Sequence, residues 1–166
     1  LHKDMGTYLQ NLESRYALIN RMKPLLAKKN GKVTAYEIHD NFLRFWFRFI
    51  YPYQSLIERN LFSLLRSNIE NNYEGFTGRT LERYFQDKFM ETEQFTQIGN
   101  WWDRKGENEI DLIAINEFTH TGLIAEIKRN AHKLSMSKLQ EKIAILPQKD
   151  FGEYEFETIG LSLKDM

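Results

Sequence analysis

Residues 109 to 129 read EIDLIAINEFTHTGLIAEIKR: two short apolar runs interrupted by Glu109, Asp111, Glu126 and Lys128. No other stretch of the chain restricts its fold as strongly. Side chains alternate faces along a strand, so Glu109, Asp111, Ile113 and Ile115 share one face of the first run, and Ile110, Leu112 and Ala114 the other. In the second run Ile124, Glu126 and Lys128 oppose Leu123, Ala125 and Ile127. Both strands are apolar on both faces, which requires a sheet covered on each side. A hairpin register that sets Ile113 beside Ile124 brings Asp111 opposite Glu126 and Glu109 opposite Lys128.

Two carboxylates facing each other across a covered sheet repel, and burial weakens the solvent screening that would hide the cost. A proton, a lysine or a divalent cation must compensate. Mg²⁺ is usually held by one or two carboxylates together with water and phosphate oxygens, which Asp111 and Glu126 offer. Lys128, about 7 Å along the same face from Glu126, would stabilise an attacking hydroxide or a phosphate oxygen. Taken alone, the same three residues also fit an ion pair at the end of a sheet.

The helix read from about Glu74 to Glu91 adds a third acid. Gly78, Glu82, Phe85 and Phe89 recur at helical spacing, so Glu82 rides on an apolar stripe, an expensive place for a carboxylate without a partner. Pairing with Arg79 or Arg83 would satisfy it, as would a shared metal site.

The remaining chain supplies the frame. A helix over residues 4 to 15 precedes two β-like segments, ALINRM and KVTAYEI, with Asn30-Gly31 as a hairpin turn signal between them. Asp40 is placed to cap the ring-rich helix NFLRFWFRFIY, expected to be buried nearly all round and to stop at Pro52. SLIERNLFSLLRSNIENNY reads as further helix. After residue 91 come the strand FTQIGNWW, the polar turn DRKGEN, EIDLIAI, a loop, GLIAEIK, an amphipathic helix from about Lys133 to Leu146 ended by Pro147, and a final strand within EYEFETIGLSL. The expected class is α/β (α+β), in the order α-β-β-β-α-β.

With 23 basic and 23 acidic side chains, no global field draws the protein to nucleic acid or membrane, so a polyanion must be met by local patches. The chain has no cysteine, which removes disulfides, thiolate chemistry and Cys-ligated zinc and suits a cytoplasmic setting. Its four histidines have no metal-ligand spacing, and no apolar run reaches the ~18 residues of a membrane helix. The opening LHKDMGTYLQNL lacks an initiator Met and reads as already inside a helix, as in a piece of a longer protein.

Glu82, Asp111 and Glu126-Ile127-Lys128 in that element order resemble the PD-(D/E)XK nuclease superfamily, although Ile110 stands where the motif commonly has Pro. YEIHDNFLRFWFRFIYPY, GRTLERYF, IGNWWDRKGENEIDLIAI and AEIKR look like the C-terminal region of a family of archaeal and bacterial AAA+-type ATPases. There a P-loop ATPase domain and a winged helix precede a nuclease-like domain. The resemblance implies a restriction-endonuclease-like core over residues 74 to 166, the closing part of a winged helix over 1 to 39 and an aromatic-rich connector over 40 to 73. The ATPase domain of the same longer polypeptide would be the partner. No G-x-x-x-x-G-K-[ST] loop occurs, so ATP has no such site in this chain.

Carried over, Asp111 and Glu126 would hold Mg²⁺ or Mn²⁺, Lys128 would orient or activate the nucleophile, Glu82 would assist from its helix, and Gln140 is a further candidate. Arg79, Arg83, Arg104, Lys105, Arg129 and Lys133 are candidates to contact DNA phosphates. Trp101 and Trp102 would stack on unpaired bases or, as the commoner use, pack in the core. Three functions compete: a metal-dependent nuclease; a non-catalytic nuclease-like module that binds DNA or protein; and a winged-helix regulator presenting Tyr8, Asn11 and Arg15.

Overall fold

The computed structural model describes residues 5–27 and 33–166, so the Asn30-Gly31 turn lies outside the described residues. The chain divides into two compact units, one of residues 1–22 and 34–73 and one of residues 23–33 and 74–166.

In the first unit α1 (Met5–Gln10) runs into a π-helical turn, Asn11–Arg15, and then into an antiparallel pair, β1 (Ile19–Met22) and β2 (Ala35–Ile38), in which Ile19 faces Ile38. The expected hairpin strands therefore pair. Tyr8, Asn11 and Arg15 are exposed. Asp40 caps α2 (Asn41–Phe45) by accepting the Leu43 N–H at 2.8 Å, as its short carboxylate before a helical run predicts.

Two expectations for the ring-rich segment fail. It does not stop at Pro52: α2 widens into a π-helical turn, Trp46–Ile50, then tightens into a 3-10 turn, Tyr51–Tyr53, and continues as α3 (Gln54–Glu58). Pro52 falls in the first turn of the 3-10 segment, where a missing N–H costs least. Nor is the segment buried all round. Phe49 is buried, yet Phe42 is 66% and Tyr51 57% exposed. A helix offers only one stripe to one neighbour, so its other rings cover one another instead, Phe42 on Trp46 and Phe47 on Tyr51.

Helix α4 (Phe62–Met90) is one element where the sequence suggested two. No proline interrupts it, and a side chain built at Gly75 or Gly78 would meet nothing within 4 Å, so neither glycine marks a close approach. The division between the units falls inside it, after Tyr73.

The second unit is built on a four-stranded mixed sheet in the order β3 (Gln97–Trp102), β4 (Glu109–Asn116), β5 (Thr121–Ile127), β6 (Glu155–Leu161). The first two pairings are antiparallel and β5 runs parallel to β6. The parallel pair needs a crossover, supplied by α5 (Met136–Ala144) and a short α6 (Gln148–Phe151) that the sequence did not disclose. α5 ends at Ala144 with Ile145 as its C-cap, short of the expected Leu146, and Pro147 instead takes the N-cap position of α6. Helices cover both faces, giving the expected α/β class with helix-flanked mixed sheet. On one face Leu139, Leu146 and Phe151 pack with Ile113, Ile115 and Ile124; on the other Leu81 and Phe85 of α4 pack with Leu112, Ala114, Leu123, Ala125 and Ile127. Each of the leucine, isoleucine and phenylalanine side chains taken from water contributes about 1.5–3 kcal/mol. Trp101 belongs to the first cluster and Trp102 is half-buried.

Ile113 faces Ile124, the register read from the hydrophobic pattern. Strict alternation along β4 does not hold. Gly99 faces Ile113 but Trp101 faces Ile110, so Asn100 alone stands opposite Asp111 and Leu112. This β-bulge moves Ile110 into the cluster of Ile113 and Ile115 instead of leaving it with Leu112.

Candidate active site

The site forms where the β4–β5 pairing ends. The last facing pair is Leu112 with Ala125. Beyond it Asp111 uses its side chain in place of the ladder: Oδ2 accepts the Ile127 N–H at 2.9 Å and the Lys128 ammonium at 2.8 Å. Lys128 Nζ also lies 3.9 Å from Glu126 Oε1. The three residues whose spacing suggested hydrolytic chemistry thus converge.

Glu126 is buried, and it is stabilised from the far side. Its Oε2 accepts the N–H of Ser135 at 2.6 Å, and Ser135 is the N-cap of α5, so the carboxylate sits at the positive end of that helix. Nothing in the E-x-K spacing announced Ser135.

Glu82 enters from α4, on the stripe predicted for it. Its Oε2 accepts from Arg79 Nη1 at 2.9 Å and from Asn100 Nδ2 at 3.3 Å. Burial pushes its carboxyl up to about 7; the Arg79 guanidinium pulls against that shift and the nearby Asp111 charge adds to it. Arg79 Nη1 also reaches Glu109 Oε1 at 2.6 Å, so one guanidinium bridges α4 and β4. Both of these carboxylates belong to the cluster, and the Arg79 side chain stays 43% exposed beside them.

Asn100 was not marked by the sequence. It is buried, donates to the Asp111 carbonyl at 2.7 Å and accepts from Gln86 Nε2 at 2.7 Å. Gln86 lies one helical turn after Glu82, and that spacing on the face turned to the sheet was the signal available for it.

The other basic candidates divide. Arg129 Nη1 donates to Thr77 Oγ1 at 3.0 Å and Lys133 Nζ pairs with Glu74 at 2.8 Å, so the segment after β5 is fastened to α4 beside the acids. Arg83 is half-buried on α4. Arg104 and Lys105 are exposed in a turn ordered by Asp103, whose Oδ1 accepts the N–H groups of Lys105 and Glu107. That turn follows β3, and neither residue contacts the acidic cluster. Gln140, exposed on α5, reaches Thr158 Oγ1 at 3.4 Å.

Four carboxylates, Glu82, Glu109, Asp111 and Glu126, share two contacting cations, Arg79 and Lys128. The negative excess in a largely buried site and the all-oxygen donor set fit a hard divalent cation. Among the described residues no three such side chains already converge on one point. Lys128 stands between Asp111 and Glu126, and a cation held by both must share or take its place.

No helix among the described residues is long and apolar enough to cross a membrane. Over residues 46–143 the chain matches the profile of DUF234, described as archaeal and bacterial proteins of unknown function. An uncharacterized protein of Methanocaldococcus jannaschii is 35% identical over 134 residues, which cover 76% of this chain and 29% of that protein. The chain therefore spans less than a third of the curated relative it matches. No solved structure matches it. The matched segment runs from the π-helical turn at Trp46 to α5, and so contains Glu82, Asn100, Asp111, Glu126 and Lys128. With more than half of its length matched, the chain belongs to the DUF234 family.

Proposed function

We propose that the second unit is a metal-dependent nuclease that hydrolyses DNA phosphodiesters, working as the C-terminal part of a longer P-loop ATPase of the AAA+ type. The observation that carries this reading is the convergence of Asp111, Glu126 and Lys128 at the end of one strand pair, with Glu82 arriving from α4. Asp111 and Glu126 would hold Mg²⁺ or Mn²⁺, and Glu82 would add a third carboxylate once deprotonated. Such a cation supplies Lewis-acid polarisation of the phosphodiester and lowers the pKa of water. Lys128, released from Asp111, would place positive charge against the attacking oxygen or the developing phosphorane oxygen. Arg129 and Lys133, held beside the site, would meet flanking phosphates.

Incubation with supercoiled and single-stranded DNA plus Mg²⁺ or Mn²⁺ tests the reading. Cleavage that disappears in both Asp111→Ala and Lys128→Ala supports it. Cleavage unchanged in both variants removes the site.

A second reading rests on the exposed rings Phe42, Phe47 and Tyr51. Exposed aromatic surface favours contact with protein, and a nuclease-like fold that binds a partner without cutting would use it. Mn²⁺ bound by neither the wild type nor Asp111→Ala would favour this alternative.

A further inference from the structure

We propose that Asn100 is a positioning residue, which through one side-chain amide sets where both Asp111 and Glu82 stand. The inference rests on the metal-site reading above for its consequence, and on the bulge in β4 for its geometry.

A β-bulge leaves backbone groups without ladder partners. Here two residues of β4, Asp111 and Leu112, stand opposite Asn100 alone. The Asp111 carbonyl finds its donor in the Asn100 side chain at 2.7 Å. The amide therefore replaces a missing ladder hydrogen bond and holds the bulge that frees the Asp111 carboxylate for Ile127 N–H and Lys128. The backbone of Asn100 is fixed as well, since its carbonyl accepts the Leu25 N–H at 2.8 Å.

The orientation of the amide follows from its partners. The Asp111 carbonyl can only accept, so Nδ2 must face it, and Glu82 Oε2 lies on the same side of the amide. Oδ1 is then turned to α4, where Gln86 Nε2 donates at 2.7 Å. Gln86 thereby secures the orientation that the Asp111 carbonyl imposes. Both Nδ2 protons are used, one on Asp111 O and one on Glu82 Oε2 at 3.3 Å. One buried group thus ties the acid on the strand to the acid on the helix. An aspartate of the same shape could not make either donation.

The experiment compares wild type, Asn100→Leu, Asn100→Asp and Gln86→Leu by two measurements. The first needs no metal: amide hydrogen exchange at Ile127, whose N–H is held by the Asp111 carboxylate, against Ile124 in the middle of the same strand. The expected result is at least a tenfold loss of protection at Ile127 in both Asn100 variants, a smaller loss in Gln86→Leu, and change within twofold at Ile124. The second is Mn²⁺ affinity, expected to fall at least tenfold in the Asn100 variants. Protection at Ile127 unchanged within twofold overturns the proposal, and so does an equal loss at Ile127 and Ile124, which marks a merely structural residue. If Asn100→Leu fails to fold, Asn100→Asp and Gln86→Leu carry the same comparison. Wild type that binds no Mn²⁺ removes the nuclease reading, while Ile127 still decides the role of Asn100.

Discussion

The Lys128 ammonium, one residue past the end of β5, stands 2.8 Å from Asp111 of β4 and 3.9 Å from Glu126 of β5. Lysine and cation therefore compete for one carboxylate. Removing the lysine relieves a partly solvent-screened attraction of about 1 kcal/mol. Lys128→Ala is expected to bind Mn²⁺ roughly fivefold more tightly while losing about a hundredfold in cleavage rate. Calorimetric titration beside a cleavage assay reads both, and a parallel loss of binding and cleavage would contradict this competition.

Glu82 makes stability depend on pH. Its carboxyl is raised from an ordinary 4.5 to about 7, so the folded state holds the proton more tightly than the unfolded chain. The associated stability is fully present below pH 4.5 and is lost as pH rises to 7, an upper bound of about 3 kcal/mol. Urea denaturation of wild type and Glu82→Gln between pH 5 and 8 should show wild type losing stability relative to the variant. Equal slopes in the two proteins count against a buried, proton-holding Glu82.

The same proton opposes a metal ion, because a ligating carboxyl must be deprotonated. Mn²⁺ affinity is expected to rise with pH up to about 7 in wild type and to rise less steeply in Glu82→Gln. Titrations in two buffers of different ionisation enthalpy would reveal the released proton.

Gly122 marks a close approach near the other end of β5. A side-chain carbon there would lie 2.5 Å from the Phe156 ring and 2.8 Å from the Ala114 carbonyl. Gly122→Ala is expected to cost about 1–3 kcal/mol by overpacking, with Mn²⁺ affinity unchanged, as chemical denaturation and metal titration would show.

Leu139 anchors α5 on the sheet and is fully buried. Leu139→Ala should cost about 2–5 kcal/mol through lost burial and the cavity left behind. A loss below ~1 kcal/mol would mean that α5 does not cover this face.

Much of the frame was legible in the residues because it depends on periodicity. Apolar character on both faces of residues 109–115 and 123–127 demanded a covered sheet, and aligning Ile113 with Ile124 predicted the observed pairing. Asp40 announced a cap, and the stripe of Glu82, Phe85 and Phe89 announced the face that α4 turns to the sheet. Asp111, Glu126 and Lys128 were legible as a group because one register brings them together.

What alternation does not encode appeared only in three dimensions. The bulge opposite Asn100 depends on how β3 meets β4, and no local pattern reveals that a strand holds one residue too many for its partner. Asn100, Gln86 and Ser135 act through contacts between separate elements, 9 to 18 residues along the chain, where asparagine, glutamine and serine look like ordinary polar residues. Exposure of the rings at Phe42 and Tyr51 is likewise a property of how much surface surrounds a helix, not of the helix itself. Spacing along one chain was enough for the order of the strands, the pairing of β4 with β5 and the meeting of Glu82, Asp111 and Glu126. Which oxygen each acid turns to which donor came from the packing alone, because it depends on groups brought within 3.3 Å when α4 and α5 settle on opposite faces of one sheet.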